Sequence, residues 1–271
     1  MRKIPFVFLL LPGAALATSV FTCEPEWAAL VKELDPSAEV YSATTALQDA
    51  HSISAKPSLI ARARSADFIV CTGAELEIGW LPVLLDKVGK PDSKVFYAAR
   101  HVELLEKPKG VITRILGDVH PEGNPHVHLD PRNIPVIADA LAERLGVDAG
   151  PFKERWAAAM AKWEEEAQGL RGKRAVSHHK NMAYLFAWLG MEEAGTLEPK
   201  PGVPPTAAHL SKLAGVPADM ILYAPFEKPD AAKWLSGKTG IPAYRLPFTV
   251  GEDAPDLFTL FEKTIKIMKG E

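Results

Sequence analysis

The sequence predicts an α/β protein of two lobes, each a mostly parallel sheet flanked by helices, joined by one long rigid helix. Three observations lead there. Short apolar runs alternate with apolar residues at helical spacing along most of the chain, the pattern of strand–helix units that build parallel sheets. The alternation pauses once, for two successive helical patterns over 133–145 and 151–170, and then resumes. The 271 residues suffice for one large or two modest domains with a sizeable core. The expected division is a leader over 1–17, a first lobe over 18–150, the bridging helix over 151–171 and a second lobe over 172–271.

The leader comes first in the chain. Arg2 and Lys3 precede an apolar run from Ile4 to Leu11 interrupted only by Pro5. Pro12 and Gly13 end the run, and Ala15-Leu16-Ala17 offers an A-x-A-like cleavage site. This is the anatomy of a secretory signal peptide, with the mature protein beginning near Thr18. Val20-Phe21-Thr22 ahead of Cys23 lacks the small residues of a lipid-attachment site. The expectation is a soluble, exported protein of the periplasm.

In the first lobe, strands are expected over 20–23, 40–44, 67–72 and 95–98. Between them lie helical patterns: Trp27, Leu30, Val31 and Leu34 share one face, Pro57 opens a helix to Arg64, and another covers Trp80 to Leu85. Ile134, Ile137, Ala138, Leu141 and Leu145 mark the next helix. Pro151 opens the bridging helix, whose apolar face carries Phe152, Trp156, Ala159 and Trp163, while Glu164-Glu165-Glu166 faces water. The second lobe reads as strands over 175–177, 220–223 and 243–246, with helices over 182–189, 207–213, 231–235 and 257–268.

Cys23 and Cys71 each end a short apolar run. In an oxidising compartment two cysteines so placed can pair as a disulfide; the alternative is two buried thiols acting as small hydrophobes.

Histidine is the side chain whose placement points to chemistry. His51 follows a predicted strand, His126 and His128 lie in a loop after a Pro/Gly-rich run, and His178 and His179 follow the strand over 175–177. In open α/β sheets ligands bind beyond the carboxyl ends of the strands, and neutral imidazole is a preferred zinc ligand. Three such sites suggest convergence on one cation. The Gly123-Asn124-Pro125 turn presents His126 first, so His126 is expected to bind and His128 to pack or hydrogen-bond. His101 and His209 carry no such signal.

Other classes lack support. The net charge is -3, so no basic signal for nucleic acid or anionic membrane exists, and nothing after the leader approaches the roughly 20 apolar residues of a membrane span. There is no phosphate-binding glycine loop, no G-x-S-x-G elbow, no H-E-x-x-H helix and no C-x-x-C pair. The expectation is a binding protein, not an enzyme.

Three stretches carry a resemblance: Gly73-Ala74-Glu75-Leu76-Glu77, Asn124-Pro125-His126-Val127-His128-Leu129-Asp130-Pro131 and His179-Lys180-Asn181-Met182-Ala183-Tyr184. Their order and spacing, spanning almost the whole mature chain, resemble the metal-binding receptors of bacterial ABC importers for zinc and manganese, cluster A-I, zinc-uptake type. The resemblance implies metal captured in an interlobe cleft and handed to an inner-membrane ABC permease by a monomer, with no nucleic acid involved. It puts the first ligand on His51, the second on His126 and the third on His179, with His178 turned away. The family's fourth ligand, an Asp after the last strand, has no counterpart over 244–251, which leaves Glu252, Asp253 or a water. The His-rich loop of zinc-type members shrinks to His120-Pro121-Glu122-Gly123. Three imidazoles imply Zn²⁺ as cargo ahead of Mn²⁺. A secreted zinc hydrolase with a three-His open site and a metal-binding adhesin or metallochaperone are the alternative readings.

Overall fold

The computed structural model describes residues 17–110 and 119–271; the expected signal peptide lies outside them apart from Ala17. The described chain forms two sheets. The first joins β1 (Ser19–Thr22), β2 (Glu39–Ser42), β3 (Phe68–Cys71) and β4 (Val95–Tyr97) in the order β2-β1-β3-β4, every pair parallel. The second joins β5 (Arg174–Ser177), β6 (Glu192–Thr196), β7 (Met220–Tyr223) and β8 (Ala243–Arg245) in the order β6-β5-β7-β8, again all parallel. The two lobes thus repeat one topology, without the sequence showing a repeat. In each sheet the connections leave the first strand in one direction and return to its other side. That switch point opens a crevice at the carboxyl ends of the strands.

Helices α1 (Pro25–Leu34), α2 (Pro57–Ser65), α3 (Leu81–Val88) and α4 (Asn133–Leu145) accompany the first sheet. Proline in the first turn of α1, α2 and α3 sits where no backbone donor is needed. In α1 the residues Trp27, Leu30, Val31 and Leu34 are all buried, as their spacing predicts. The indole of Trp27 donates to Thr72 Oγ1 at 2.8 Å, fixing α1 to the end of β3. Helices α6 (Ala183–Leu189), α7 (Ala207–Leu213) and α8 (Asp230–Thr239) accompany the second sheet.

The bridge is α5 (Gly150–Glu166). Expected over 151–171, it is shorter as an α-helix, and a 3-10 turn at Gln168–Leu170 completes the span. Gly169 and Gly172, poor helix formers, stand where it fails. The closing helix α9 (Leu257–Lys269) is capped by Asp256, which accepts from Thr259 N–H at 2.7 Å. It packs on α5 and α1. Trp156 and Trp163 of α5 meet Phe261 of α9 at centroid distances of 5.6 and 5.2 Å. One hydrophobic cluster therefore runs from Val20 and Trp27 in the first lobe through Trp156 and Phe261 to Leu222 in the second.

One element escapes the sequence reading. β6, Glu-Glu-Ala-Gly-Thr, is an edge strand with no buried residue, and its pairing with β5 is irregular between Ala175 and Val176. Edge strands carry charge for good reason, and no apolar run betrays this one. Cys23, just past β1, and Cys71, ending β3, form the expected disulfide, both fully buried. Among the described residues no helix is long and apolar enough to cross a membrane.

Candidate metal centre

His51 is placed by a 3-10 turn, Ala50–Ser52, on the connection after β2. Asp49 Oδ1 accepts both the backbone N–H of His51 at 3.0 Å and its ring Nδ1 at 2.7 Å. The Trp80 indole donates to Ala50 O at 2.8 Å and anchors the turn. His126 uses the same device. Asn124 Oδ1 accepts its backbone N–H at 3.1 Å and its Nδ1 at 2.9 Å. Here the chain must pass Leu104 and Leu105 closely with φ +128° at Gly123, where a Cβ would meet Leu105 O at 2.8 Å. His179 extends from β5, and its Nδ1 donates to Glu198 Oε2 at 2.8 Å. That oxygen also accepts the Gly202 N–H.

These acceptors decide the tautomers. A carboxylate or amide oxygen can only accept, so each of the three rings carries its proton on Nδ1 and keeps the lone pair on Nε2 for an ion. The rings converge: His51 lies 5.7 Å from His126 and 5.9 Å from His179, and His126 lies 6.2 Å from His179, centroid to centroid. All three line a cavity of about 240 Å³ between the lobes.

A fourth imidazole joins them. His120 Nε2 is 3.2 Å from His51 Nε2, with ring centroids 5.2 Å apart. Two nitrogens bound at zinc–imidazole distance to one tetrahedral ion lie about 3.3–3.4 Å apart, so these two rings already stand at nearly that spacing. In the sequence His120 belongs only to the short loop His120-Pro121-Glu122-Gly123. His120 lies 69 residues from His51 in the chain, and only the fold brings the two rings together.

The carboxylates considered for the fourth position do not reach the cavity. Glu252 and Asp253 are exposed, and Asp253 pairs with Arg245 at 2.9 Å. Glu227, in the turn after β7, does line it. Its oxygens accept from Ala224 N–H at 2.6 Å and Asn181 Nδ2 at 3.1 Å. Of the remaining histidines, His128 and His178 also line the cavity, whereas His101 and His209 do not. His128 donates from Nε2 to Phe248 O at 3.0 Å, with Nδ1 3.3 Å from Glu26 Oε1. His101 stacks on Phe96, and His209 Nε2 bonds Thr196 O at 2.8 Å. His178 is buried on the cavity wall.

Electrostatics favour a neutral His126. Burial, then the neighbouring His51 and His179, hold His126 well below the usual imidazole range. Burial works against ionisation of Asp49, yet its hydrogen bonds from the ring and backbone of His51 hold it below the usual carboxylate range. Burial pushes Glu227 up to about 7. For a raised carboxyl the stabilising share is complete below the unfolded value and is lost as pH rises through the folded one. Metal-free protein is therefore expected to lose up to about 3 kcal/mol of unfolding free energy between pH 5 and pH 8 through this group. Urea titrations in chelator should show the loss, and Glu227→Gln should abolish it; an identical pH slope in the variant would refute the assignment.

The comparisons with known proteins follow the same lines. The family described as ZnuA, Zinc-uptake complex component A periplasmic, matches residues 20–270. The zinc-binding lipoprotein AdcA of Streptococcus pneumoniae is 25% identical over 243 residues, covering 81% of this chain and 48% of the relative. The chain thus spans about half the length of the curated relatives it matches. Among solved structures, one of ZnuA superposes with a TM-score of 0.75 at 16% identity, covering 94% of this chain and 98% of that one. The laminin-binding adhesin of Streptococcus agalactiae gives 0.76 at 19%, covering 94% and 99%. Zn(II)-bound AdcA from Streptococcus pneumoniae gives 0.71 at 22%, covering 94% and 57%. These likenesses establish the fold.

Proposed function

Because the chain belongs to the zinc-uptake complex component A family, we propose that it is a periplasmic receptor that captures Zn²⁺ between its lobes and delivers it to an ABC permease. The observation that carries this reading is the convergence of His51, His126 and His179 with each Nδ1 committed to an oxygen. We assign these three as ligands from both lobes and add His120 as the fourth. The bridging helix keeps lobe movement small, so release depends on loosening the histidine loops more than on wide opening. A soluble monomer, freed of its signal peptide and not lipid-anchored, belongs to the same proposal; fractionation of the exported protein tests it.

A hydrolase would keep one position for water beside a general base. The nearness of His120 to His51 argues for the receptor instead. An adhesin or metallochaperone could use the same site; neighbouring genes for a permease and an ATPase would favour the importer.

The donor set also decides the cargo. Imidazole suits zinc, whereas manganese prefers oxygen-rich shells. Tight zinc binding at neutral pH and much weaker manganese binding are expected. Protons compete for the same nitrogens, so zinc should be lost as pH falls below about 6.5. Elemental analysis of the exported protein and a competition titration of the two metals at pH 7.5 and pH 5 test this. A preference for manganese would overturn the ligand set.

A further inference from the structure

Asn124 does more than orient His126. Its backbone N–H donates to Leu105 O at 2.8 Å, and its carbonyl accepts from the Tyr184 hydroxyl at 2.8 Å. Its side-chain Nδ2 donates to Glu106 Oε2 at 2.9 Å and to Lys180 O at 3.1 Å. The other carboxylate oxygen of Glu106 takes Lys180 Nζ at 2.8 Å. A reversed amide would set Oδ1 against two acceptors, so this orientation is the one the surroundings allow.

Two features show that the arrangement is built. Glu106 holds a left-handed φ of +52°, a conformation residues with a Cβ adopt only when their surroundings impose it. Gly123 supplies the close passage that delivers Asn124. Glu106 and Asn124 precede the bridging helix; Lys180 and Tyr184 follow it, and Lys180 is bonded directly to His179. The same amide therefore grips a ring of one lobe by its oxygen and the backbone beside a ring of the other by its nitrogen.

We propose that Glu106, Asn124 and Lys180 form a bracket that sets the spacing between His126 and His179, with Asn124 as a positioning residue for ion size. The proposal rests on the assignment of those histidines as ligands. A spacing fixed by the protein suits the short bonds of zinc. A larger ion with the same liking for nitrogen, Cd²⁺, must stretch the bracket to gain its longer bonds. Releasing the bracket costs zinc more than cadmium.

The test uses the full exported chain. Asn124→Asp keeps an oxygen for His126 but replaces the donor to Glu106 and Lys180 O with an acceptor. Lys180→Met, at a half-exposed side chain, removes only the ion pair to Glu106 and does not threaten folding. Zinc and cadmium affinities and the visible absorption of the Co²⁺ form are measured for each. Asn124→Asp is expected to weaken zinc about tenfold to a hundredfold, to weaken cadmium less, and to shift the Co²⁺ bands; Lys180→Met should move all three in the same direction by a smaller step. Equal losses for both metals with an unchanged Co²⁺ spectrum would reveal a merely structural role and overturn the proposal. So would unchanged affinities in both variants. Failure of the parent protein to bind zinc would instead overturn the receptor reading.

Discussion

His126→Ala should weaken zinc binding about a hundredfold or more, roughly 2.7 kcal/mol. His126 is the most buried of the converging rings, at 3% exposure, and it is held on its far side by Asn124. Truncation deletes a ring whose neutrality and direction are already set, and it leaves the Asn124 oxygen without its ring donor in a buried site. His51→Ala and His179→Ala should show losses of similar order, since each ring is oriented by its own carboxylate. His120→Ala is the sharper comparison. A loss of tenfold or more makes it the fourth ligand, and parent-like affinity returns that place to a water. His101→Ala and His209→Ala should bind as the parent does. Competition against a chromophoric chelator gives all six values, and unchanged affinity in His179→Ala would remove the two-lobe site altogether.

The disulfide provides the second large effect. Cys23 and Cys71 are 48 residues apart, and closing a loop of that length stabilises by about 4 kcal/mol on the chain-entropy account. The bond ties the ends of β1 and β3, from which Glu24-Pro25-Glu26 and Thr72-Gly73 lead to the cleft. Cys23→Ser with Cys71→Ser should lower the unfolding free energy by about that amount, more if the buried hydroxyls find no partners. Denatured, unreduced parent protein should show no labelled thiol. Two labelled thiols per chain, or a variant as stable as the parent, would contradict the bridge as a stabilising element.

Much of this was legible in the sequence because the signals were local. The faces of α1, α4 and α5 follow apolar spacing, and α4, α7 and β7 coincide with their expected bounds. His51, His126 and His179 stood out as candidates because each follows a strand or a Pro/Gly turn, where parallel sheets hold ligands, and the fold brings their rings together. The rest was set by distant partners. β6 exists through its pairing with β5, and His120 reaches His51 across 69 residues. Glu198 meets His179 from 19 residues away. A local signal in the sequence does mark two of these rings. Asp49 and Asn124 each stand two residues before a histidine, and each serves its backbone N–H and ring at once. Asx residues turn the chain in this way, so an Asp or Asn two before a loop histidine already announces a ring with a fixed tautomer.

The hydrophobic cluster that passes through α5 and α9 into both sheets also bears on how long the protein lasts. Because this cluster joins both lobes, they are expected to unfold together, so whatever stabilises the cleft would stabilise the entire chain. An ion bound there at a thousand times its dissociation constant adds about 4 kcal/mol to global unfolding. Proteases that cleave transiently opened chains would then remove the metal-free protein much faster than the loaded one. If the cleft binds metal as proposed, the amount of protein would then follow free metal, lowered by scarcity through turnover and restored only by new synthesis.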